Sequence, residues 1–348
     1  MCLRGLVAVL VTLVLWAGAC TGDDGSGSPD GDAATPVVVD SDGAFDDIKA
    51  ILYLLERPDV AVRALTFSGT GIAHCPEAAE NASAVLERIG APDIPIACGR
   101  SEPLSGDNEA LDEWRDAADT LGGVDLPDPR PLADTDAPGL LVETLTEADE
   151  AVDLIALGPL TNVAEALDAD PAIADRISTV HLMGGAVDAG GNVLYANNPD
   201  AEFNIWADPE AAARLFATDV PITLIPLDAT NVAPVTPYLY EAVAAHRDHS
   251  AVSAFLADYL EATPLVGGLY HWDELAAVIA TDESVATFDY RILAVVTEGG
   301  ADAGATVEDP EGRPVRVAVA ADGDGFEARF YEAVLGTPEP DAPAWDCL

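Results

Sequence analysis

Short apolar runs alternate with segments of helical spacing along most of this chain. The apolar runs are typical of buried β-strands, and they lie at residues 36–39, 60–67, 94–97, 153–157, 179–182, 222–226, 291–296 and 314–319. Segments with helical periodicity lie at residues 46–55, 76–89 and 163–167, from residue 209, within 237–262, at 271–279 and near 326–334. Such alternation predicts an α/β fold with an open, mostly parallel sheet and helices on both faces. Residues 105–136 are polar and Pro-rich, which predicts an irregular loop apart from a helix around Trp114.

The first predicted strand and helix, PVVVDSDGAFDDIKAILYLL at residues 36–55, carry four carboxylates. Asp40 and Asp42 lie where the strand ends, and Asp46 and Asp47 open the helix. Open α/β sheets bind ligands at this edge. Acidic capping accounts for Asp46 and Asp47 but not for the two carboxylates at the strand exit. A hard cation such as Ca²⁺, which takes roughly six to eight oxygen ligands, would offset the repulsion among all four.

The composition excludes one class of partner. The chain has 348 residues, with 62 acidic against 15 basic side chains and a formal net charge of -47. A surface of this sign repels polynucleotides, so we expect no nucleic-acid partner. The acidity does not by itself point to a reaction.

The N-terminus predicts export. Residues 1–19 read as a signal peptide, with Arg4, an apolar run and then small residues up to Cys20. The segment Ala-Gly-Ala-Cys at 17–20 resembles a bacterial lipobox, which predicts a lipid on Cys20 and an anchor on the outer face of the cytoplasmic membrane. Ordinary cleavage near Ala19 is the alternative, and the apolar run is shorter than the roughly 20 residues of a membrane span. Residues 20–35 predict a flexible tether, and residues 36–348 a single domain.

Three cysteines lie outside the signal: Cys75, Cys98 and Cys347. An exported protein meets an oxidising compartment, so one disulfide is expected, and Cys75 with Cys98 is the favoured pair. No cysteine or histidine spacing indicates zinc.

Several motifs resemble the nucleoside hydrolases, and they occur in the same order as in that family. The cluster DSDGAFDD at residues 40–47 is similar to the family's N-terminal aspartate motif and most similar to its purine-specific form, DxDGxxDD. Further counterparts are LGPLTN at 157–162, MGGA at 183–186, AEFN at 201–204, DPEAA at 208–212 and WDELAA at 272–277. The resemblance runs from about Val37 to Ala277.

The resemblance implies a role for each matching residue. Asp42, Asp47, Asp273 and the backbone carbonyl of Leu157 match the ligands of a Ca²⁺ ion. Asp40 matches the general base, although Asp42 is close enough in sequence to serve instead. The substrate-binding positions are Asp46, Thr70, Trp114, Met183, Asn192, Glu202 and Asn204. Asn192 has the alternative of an ordinary loop residue, and Glu202 and Asn204 would face the same side of an extended segment.

The residues near the leaving base point to purines. Trp272 stands where many family members have a His, and a Trp before the last aspartate resembles the purine-specific branch, in which indoles stack on the base. Trp114 would be the opposite face of that stack or else a loop anchor. His271 is an alternative acid for the leaving base. Thr70 departs from the Asn found in many members, so one substrate hydrogen bond is altered.

The sequence therefore predicts Ca²⁺-dependent hydrolysis of the N-glycosidic bond of purine ribonucleosides. A nucleoside-binding lipoprotein without turnover and a hydrolase of another ribosyl compound are the alternatives. A phosphatase with a strand followed by DxD would need a Thr where this chain has Ala44. Family members are often dimers or tetramers, so the resemblance also implies a homo-oligomer, although no interface signature stands out.

Overall fold

One nine-stranded sheet organises the computed structural model, which describes residues 34–263 and 268–340. The strands are β1 (Thr35–Ser41), β2 (Val60–Phe67), β3 (Ile96–Cys98), β4 (Val152–Ala156), β5 (Ile177–Met183), β6 (Ile222–Ile225), β7 (Ala286–Val295), β8 (Thr306–Glu308) and β9 (Arg313–Ala321). Their order across the sheet is β3-β2-β1-β4-β5-β6-β9-β7-β8. All neighbours from β3 to β9 pair in parallel, and β7 pairs antiparallel with both β9 and β8. The predicted α/β class with an open, mostly parallel sheet is confirmed.

The helices of the described residues cover both faces of this sheet. They are α1 (Phe45–Glu56), α2 (Cys75–Ile89), α3 (Asp112–Asp119), α4 (Ala137–Glu147), α5 (Thr161–Ala169), α6 (Phe203–Ala207), α7 (Pro209–Phe216), α8 (Leu227–Thr230), α9 (Pro237–Ala245), α10 (Ala251–Ala262), α11 (Trp272–Thr281) and α12 (Gly323–Leu335). Successive side chains of a strand point to opposite faces. Val37 and Val39 accordingly pack into the core shared with α1, α10, α11 and α12, and Val38 packs into the core shared with α4, α5 and α7.

The strand order reverses at β1. The chain proceeds from β1 to β2 and β3 on one side and then returns to place β4 on the other side of β1. Ligands of open α/β sheets bind outside the carboxyl ends of the strands at such a switch point. The aspartates that follow β1 lie at this position.

The structure adds elements that the sequence pattern did not predict. Helix α4 follows the segment expected to be irregular, and Asp136 caps it by accepting a hydrogen bond from the Gly139 N–H at 2.9 Å. Strand β7 begins five residues before the predicted start at 291. The short helix α8 follows β6, where the sequence pattern predicted no element.

Cys75 and Cys98 form a disulfide with their Cα atoms 5.6 Å apart, and it ties α2 to the end of β3. Cys347, the signal peptide and Cys20 lie outside the described residues. Within residues 34–263 and 268–340, no helix combines the length and apolarity needed to cross a membrane.

Candidate active site at the carboxyl ends of the strands

Asp40 is fully buried near the end of β1, the strand at which the strand order reverses. Its Oδ1 accepts hydrogen bonds from the Thr66 hydroxyl at 2.6 Å and from Nδ2 of Asn162 at 2.8 Å. Its Oδ2 has no hydrogen-bond partner in the described part of the chain. Burial raises the pKa of Asp40 to about 7, against the lowering effect of the two donors. One oxygen is thus fixed in place while the other is left for a proton.

Asp42 is surrounded closely by backbone. Its two carboxylate oxygens accept the N–H groups of Ala44 and Ile72, at 3.2 and 3.1 Å. A Cβ atom at Gly158 would lie 2.8 Å from Cβ of Asp42, and one at Gly71 would overlap the Asp42 carboxylate. The two glycines are therefore required for the close approach of both loops. Burial raises the pKa of Asp42 as well.

Helices α1 and α11 bring three carboxylates together at their first turns. Asp46, Asp47 and Asp273 each offer an oxygen, and these oxygens lie within 4.8 Å of one another. The Asp47 carboxylate also accepts the Ser41 hydroxyl at 2.5 Å and the Ala44 N–H at 3.0 Å, which fixes its orientation. Burial, followed by repulsion from neighbouring carboxylates, raises the pKa of Asp47 and of Asp273 well above the usual range. Burial and Glu274 raise the pKa of Asp46 to about 7.

This donor set fits a hard divalent cation. Like-charged carboxylates at such short range favour either bound protons or a cation, and oxygen donors are what Ca²⁺ and Mg²⁺ take. Asp46, expected as a ribose ligand, belongs to this group of three. Asp42, which was expected as a metal ligand, lies outside this group of three, and the Leu157 carbonyl, the other expected ligand, accepts Nδ2 of Asn204 at 2.9 Å. Their metal-binding roles stay predictions.

Asn204 lies in the first turn of a helix, so the extended segment expected to carry both Glu202 and Asn204 is wrong, although Glu202 itself keeps an extended backbone as the residue before that helix. Glu202 is the N-cap of α6, and its carboxylate accepts the N–H groups of Asn204, Ile205 and Gly185 at 2.9 to 3.1 Å. A helix N-terminus leaves its first backbone N–H groups unpaired. The Glu202 carboxylate accepts two of them, which favours a helix that begins directly after Glu202. Burial raises the pKa of Glu202 to about 7.

The Asn204 amide links this helix to two strand exits, since it donates to the backbone carbonyls of Leu157 and Met183. Asn192 holds the start of the same helix, because its side-chain oxygen accepts the Phe203 N–H at 2.9 Å. The three polar residues expected to bind substrate are therefore connected to one another and to β4 and β5.

Thr70 is buried and hydrogen-bonded to other hydroxyls. Its oxygen lies 2.6 Å from that of Ser68 and 2.9 Å from that of Thr161, and the Thr161 hydroxyl donates to Asp208 at 2.8 Å. This chain of hydroxyls joins the loop after β2 to the N-termini of α5 and α7.

The expected aromatic residues lie on different elements. Trp272 opens α11, packs against Tyr270 with ring centroids 5.6 Å apart, and donates its indole N–H to Asn231 at 3.0 Å. Trp114 on α3 is 39% exposed and forms a T-shaped pair with Tyr195, with ring centroids 5.0 Å apart. Stacking of a base by either tryptophan stays a prediction. His271 is buried against Phe326 and Phe330, with Nδ1 2.8 Å from Glu274.

Four residues of the site were not singled out by the sequence pattern. Thr66 and Asn162 hold Asp40, Tyr195 contacts Trp114, and the charge of the buried Arg115 opposes the rise in the pKa of Asp42 that burial causes. Only Asn162 had a signal, since it ends the segment LGPLTN.

The known proteins that this chain resembles are nucleosidases and nucleoside hydrolases, and their names indicate different base preferences. Residues 37–328 match the family model "Inosine-uridine preferring nucleoside hydrolase". The chain is 32% identical to uridine nucleosidase 1 of Arabidopsis thaliana over 76% of this chain and 79% of the relative. It is 33% identical to the non-specific ribonucleoside hydrolase RihC of Salmonella agona over 88% and 99%. The solved structure of a purine-preferring ribonucleoside hydrolase from Gardnerella vaginalis superposes with a TM-score of 0.75 and 29% identity, covering 87% of this chain and 99% of that one.

Proposed function

Since the chain belongs to the inosine-uridine preferring nucleoside hydrolase family and hydrolyses the N-glycosidic bond of ribonucleosides, we propose that this hydrolysis depends on Ca²⁺ and that the enzyme prefers purine nucleosides. The products are the free base and ribose. The observation that carries the mechanism is the asymmetric environment of Asp40.

Asp40 is the proposed general base. Thr66 and Asn162 fix one oxygen, and the other has no partner among the described residues. A carboxylate held in this way accepts a proton from an attacking water without first giving up a hydrogen bond. Burial raises the pKa of Asp40 to about 7 in the metal-free protein, which gives this carboxylate a higher proton affinity than an exposed aspartate has.

The proposed Ca²⁺ ligands are Asp42, Asp47, Asp273 and the Leu157 carbonyl, and the structure gives Asp46 as a further candidate. A bound Ca²⁺ would ease deprotonation of a ligating water and hold ribose hydroxyls. The chain's own residues complete the ribose site. The Asn204 amide N–H groups are engaged by Leu157 and Met183, so its side-chain oxygen is the atom left for a sugar hydroxyl.

Cleavage passes through an oxocarbenium-like ribose, as in glycoside hydrolysis generally. The Glu202 carboxylate is held by three N–H groups, which fixes its position before the reaction begins. Fixed carboxylates near a sugar that gains positive charge stabilise the transition state because they need no reorganisation.

The function is tested by assaying residues 34–348 with inosine, adenosine, guanosine, uridine and cytidine, with and without a chelator. We expect purine turnover that the chelator abolishes and added Ca²⁺ restores, and that Asp42→Asn lacks. Turnover of pyrimidine nucleosides alone would overturn the purine preference. Nucleoside binding without turnover would overturn the mechanism.

The purine preference rests on Trp272, and Trp272→Ala tests it. Stacking on an indole contributes about 1–3 kcal/mol per base, and a purine offers the larger face. We therefore expect kcat/KM for inosine to fall by about 5- to 150-fold, and that for uridine by much less. Tyr290→Ala is the matched control, since Tyr290 is 70% exposed on β7. Equal losses for inosine and uridine would contradict a stacking role.

Export and a lipid on Cys20 are proposed from the first 20 residues alone, which lie outside the described part of the chain. In that location the enzyme would act on nucleosides outside the cytoplasmic membrane, before uptake.

A further inference from the structure

The only lysine of the chain is buried beneath the carboxylate cluster. Lys49 lies on α1 two residues after Asp47, and it is 6% exposed. Its Nζ forms an ion pair with Oε1 of Glu274, which is fully buried on α11 directly after Asp273. The ion pair therefore joins the two helices whose first turns supply Asp46, Asp47 and Asp273.

Glu274 has a second partner on the same oxygen. Nδ1 of His271 lies 2.8 Å from its Oε1, and the His271 ring packs against Phe326 and Phe330 of α12, at 5.5 and 6.2 Å between ring centroids. The other oxygen, Oε2, has no hydrogen-bond partner within the described ranges. The Glu274 oxygen thus joins Lys49 of α1 to His271 at the start of α11. The ring of His271 extends the contact to α12 by packing.

Stability alone does not account for such a network. Desolvation of two buried charges commonly cancels their attraction, and apolar residues of similar volume often serve as well or better. The adjacent carboxylates provide a reason. In the ionised form that binds a cation, Asp46 and Asp47 on α1 repel Asp273 on α11, so the two helix ends tend to separate, and the attraction between Lys49 and Glu274 opposes this.

We propose that Lys49 and Glu274 are positioning residues, which hold the first turns of α1 and α11 at the separation that a Ca²⁺ ion requires. The proposal rests on the calcium site of the proposed function. The affinity of the site for Ca²⁺ then depends on an ion pair that does not itself contact the cation. His271 fixes the Glu274 oxygen from the side of α12.

The charge of Lys49 and its positioning role have opposite effects on Ca²⁺ binding. A positive charge close to the site repels a cation, so its removal without movement would tighten binding. Loss of the positioning would weaken binding. The double variant Lys49→Met with Glu274→Gln removes one charge of each sign, so the effect of geometry remains while the net charge is unchanged.

The experiment measures the Kd for Ca²⁺ by calorimetry on chelator-treated protein, at a temperature where near-UV circular dichroism is native for each variant. We expect the double variant to bind Ca²⁺ about 10- to 100-fold more weakly than the wild type, as for other residues that orient metal ligands. Lys49→Met alone is expected to bind more weakly as well. Arg57→Met is the control, since Arg57 forms its ion pair with Asp59 at the far end of α1 and is expected to leave the Kd unchanged.

A double variant that binds within about twofold of the wild type would overturn the proposal, because tenfold is the smallest loss expected for a positioning residue. Tighter binding by Lys49→Met, or an equal loss in Arg57→Met, would overturn it too. If the wild type itself binds no Ca²⁺, the proposed metal site fails first, and that result is distinct from any difference between variants.

Discussion

Asp40→Asn is expected to lower kcat for inosine by about 10²- to 10⁴-fold, the range that a positioned general base contributes. Asparagine keeps the shape of the side chain, and its oxygen still accepts the bonds from Thr66 and Asn162. What disappears is the second oxygen, which has no partner among the described residues and is replaced by an amide that takes no proton. Steady-state kinetics under saturating Ca²⁺ measure the effect.

Two further measurements make the result specific to proton transfer. Asp40→Asn is expected to bind Ca²⁺ and to retain a native circular dichroism spectrum, since the change is isosteric. Thr66→Val removes one donor to Asp40 and keeps the carboxylate, so its loss in kcat should be smaller than that of Asp40→Asn and no more than about 150-fold, the effect of one hydrogen bond to a charged group at about 1.5–3 kcal/mol. If Asp40→Asn keeps more than about a tenth of the wild-type kcat, Asp40 is not the general base. Asp42 is then the next candidate, since it is the alternative base by sequence.

The position of the site could be predicted from sequence because it depends on local patterns. Val37 to Val39 form a buried run, the aspartates follow directly, and helical spacing begins at once, so the strand, turn and helix are each visible in a short window. Parallel strands then bring their carboxyl ends to one edge, which places the segments after β1, β4 and β5 together.

The contacts that orient the site depend on tertiary structure and left no such pattern. Lys49 looks like an isolated polar residue within the apolar stretch of α1 that follows Asp47, and its buried partner Glu274 lies on a helix that is distant in sequence. Residues 203–207 form a helix too short to show a period, so Asn204 was expected in an extended segment although it lies in the first turn of α6. Thr66 lies inside a strand whose sequence does not indicate that its hydroxyl meets Asp40.

Calcium is expected to stabilise the folded protein, and Asp273→Asn is expected to abolish that stabilisation. A ligand at about 100 times its Kd adds about 2.7 kcal/mol, which corresponds to a rise in Tm of roughly 4 °C for a domain of about 300 residues. Among the described residues, the Asp273 carboxylate interacts with other carboxylates of the cluster and holds no backbone N–H. Its replacement therefore removes a proposed metal ligand while the capping bonds made by Asp47 remain.

The difference in Tm between Asp273→Asn and the wild type is expected to depend on whether a chelator or Ca²⁺ is present. In a chelator, Asp273→Asn should melt at the same temperature as the wild type or higher, because one of several mutually repelling buried carboxylates is gone. In Ca²⁺ it should melt lower than the wild type, because it no longer gains from the cation. Thermal melts in both conditions measure the difference, with Glu80→Gln as a control that removes one exposed charge from α2. A full Ca²⁺-dependent rise in Tm for Asp273→Asn would exclude Asp273 from the metal site, and a lower Tm in the chelator would assign it a structural role instead.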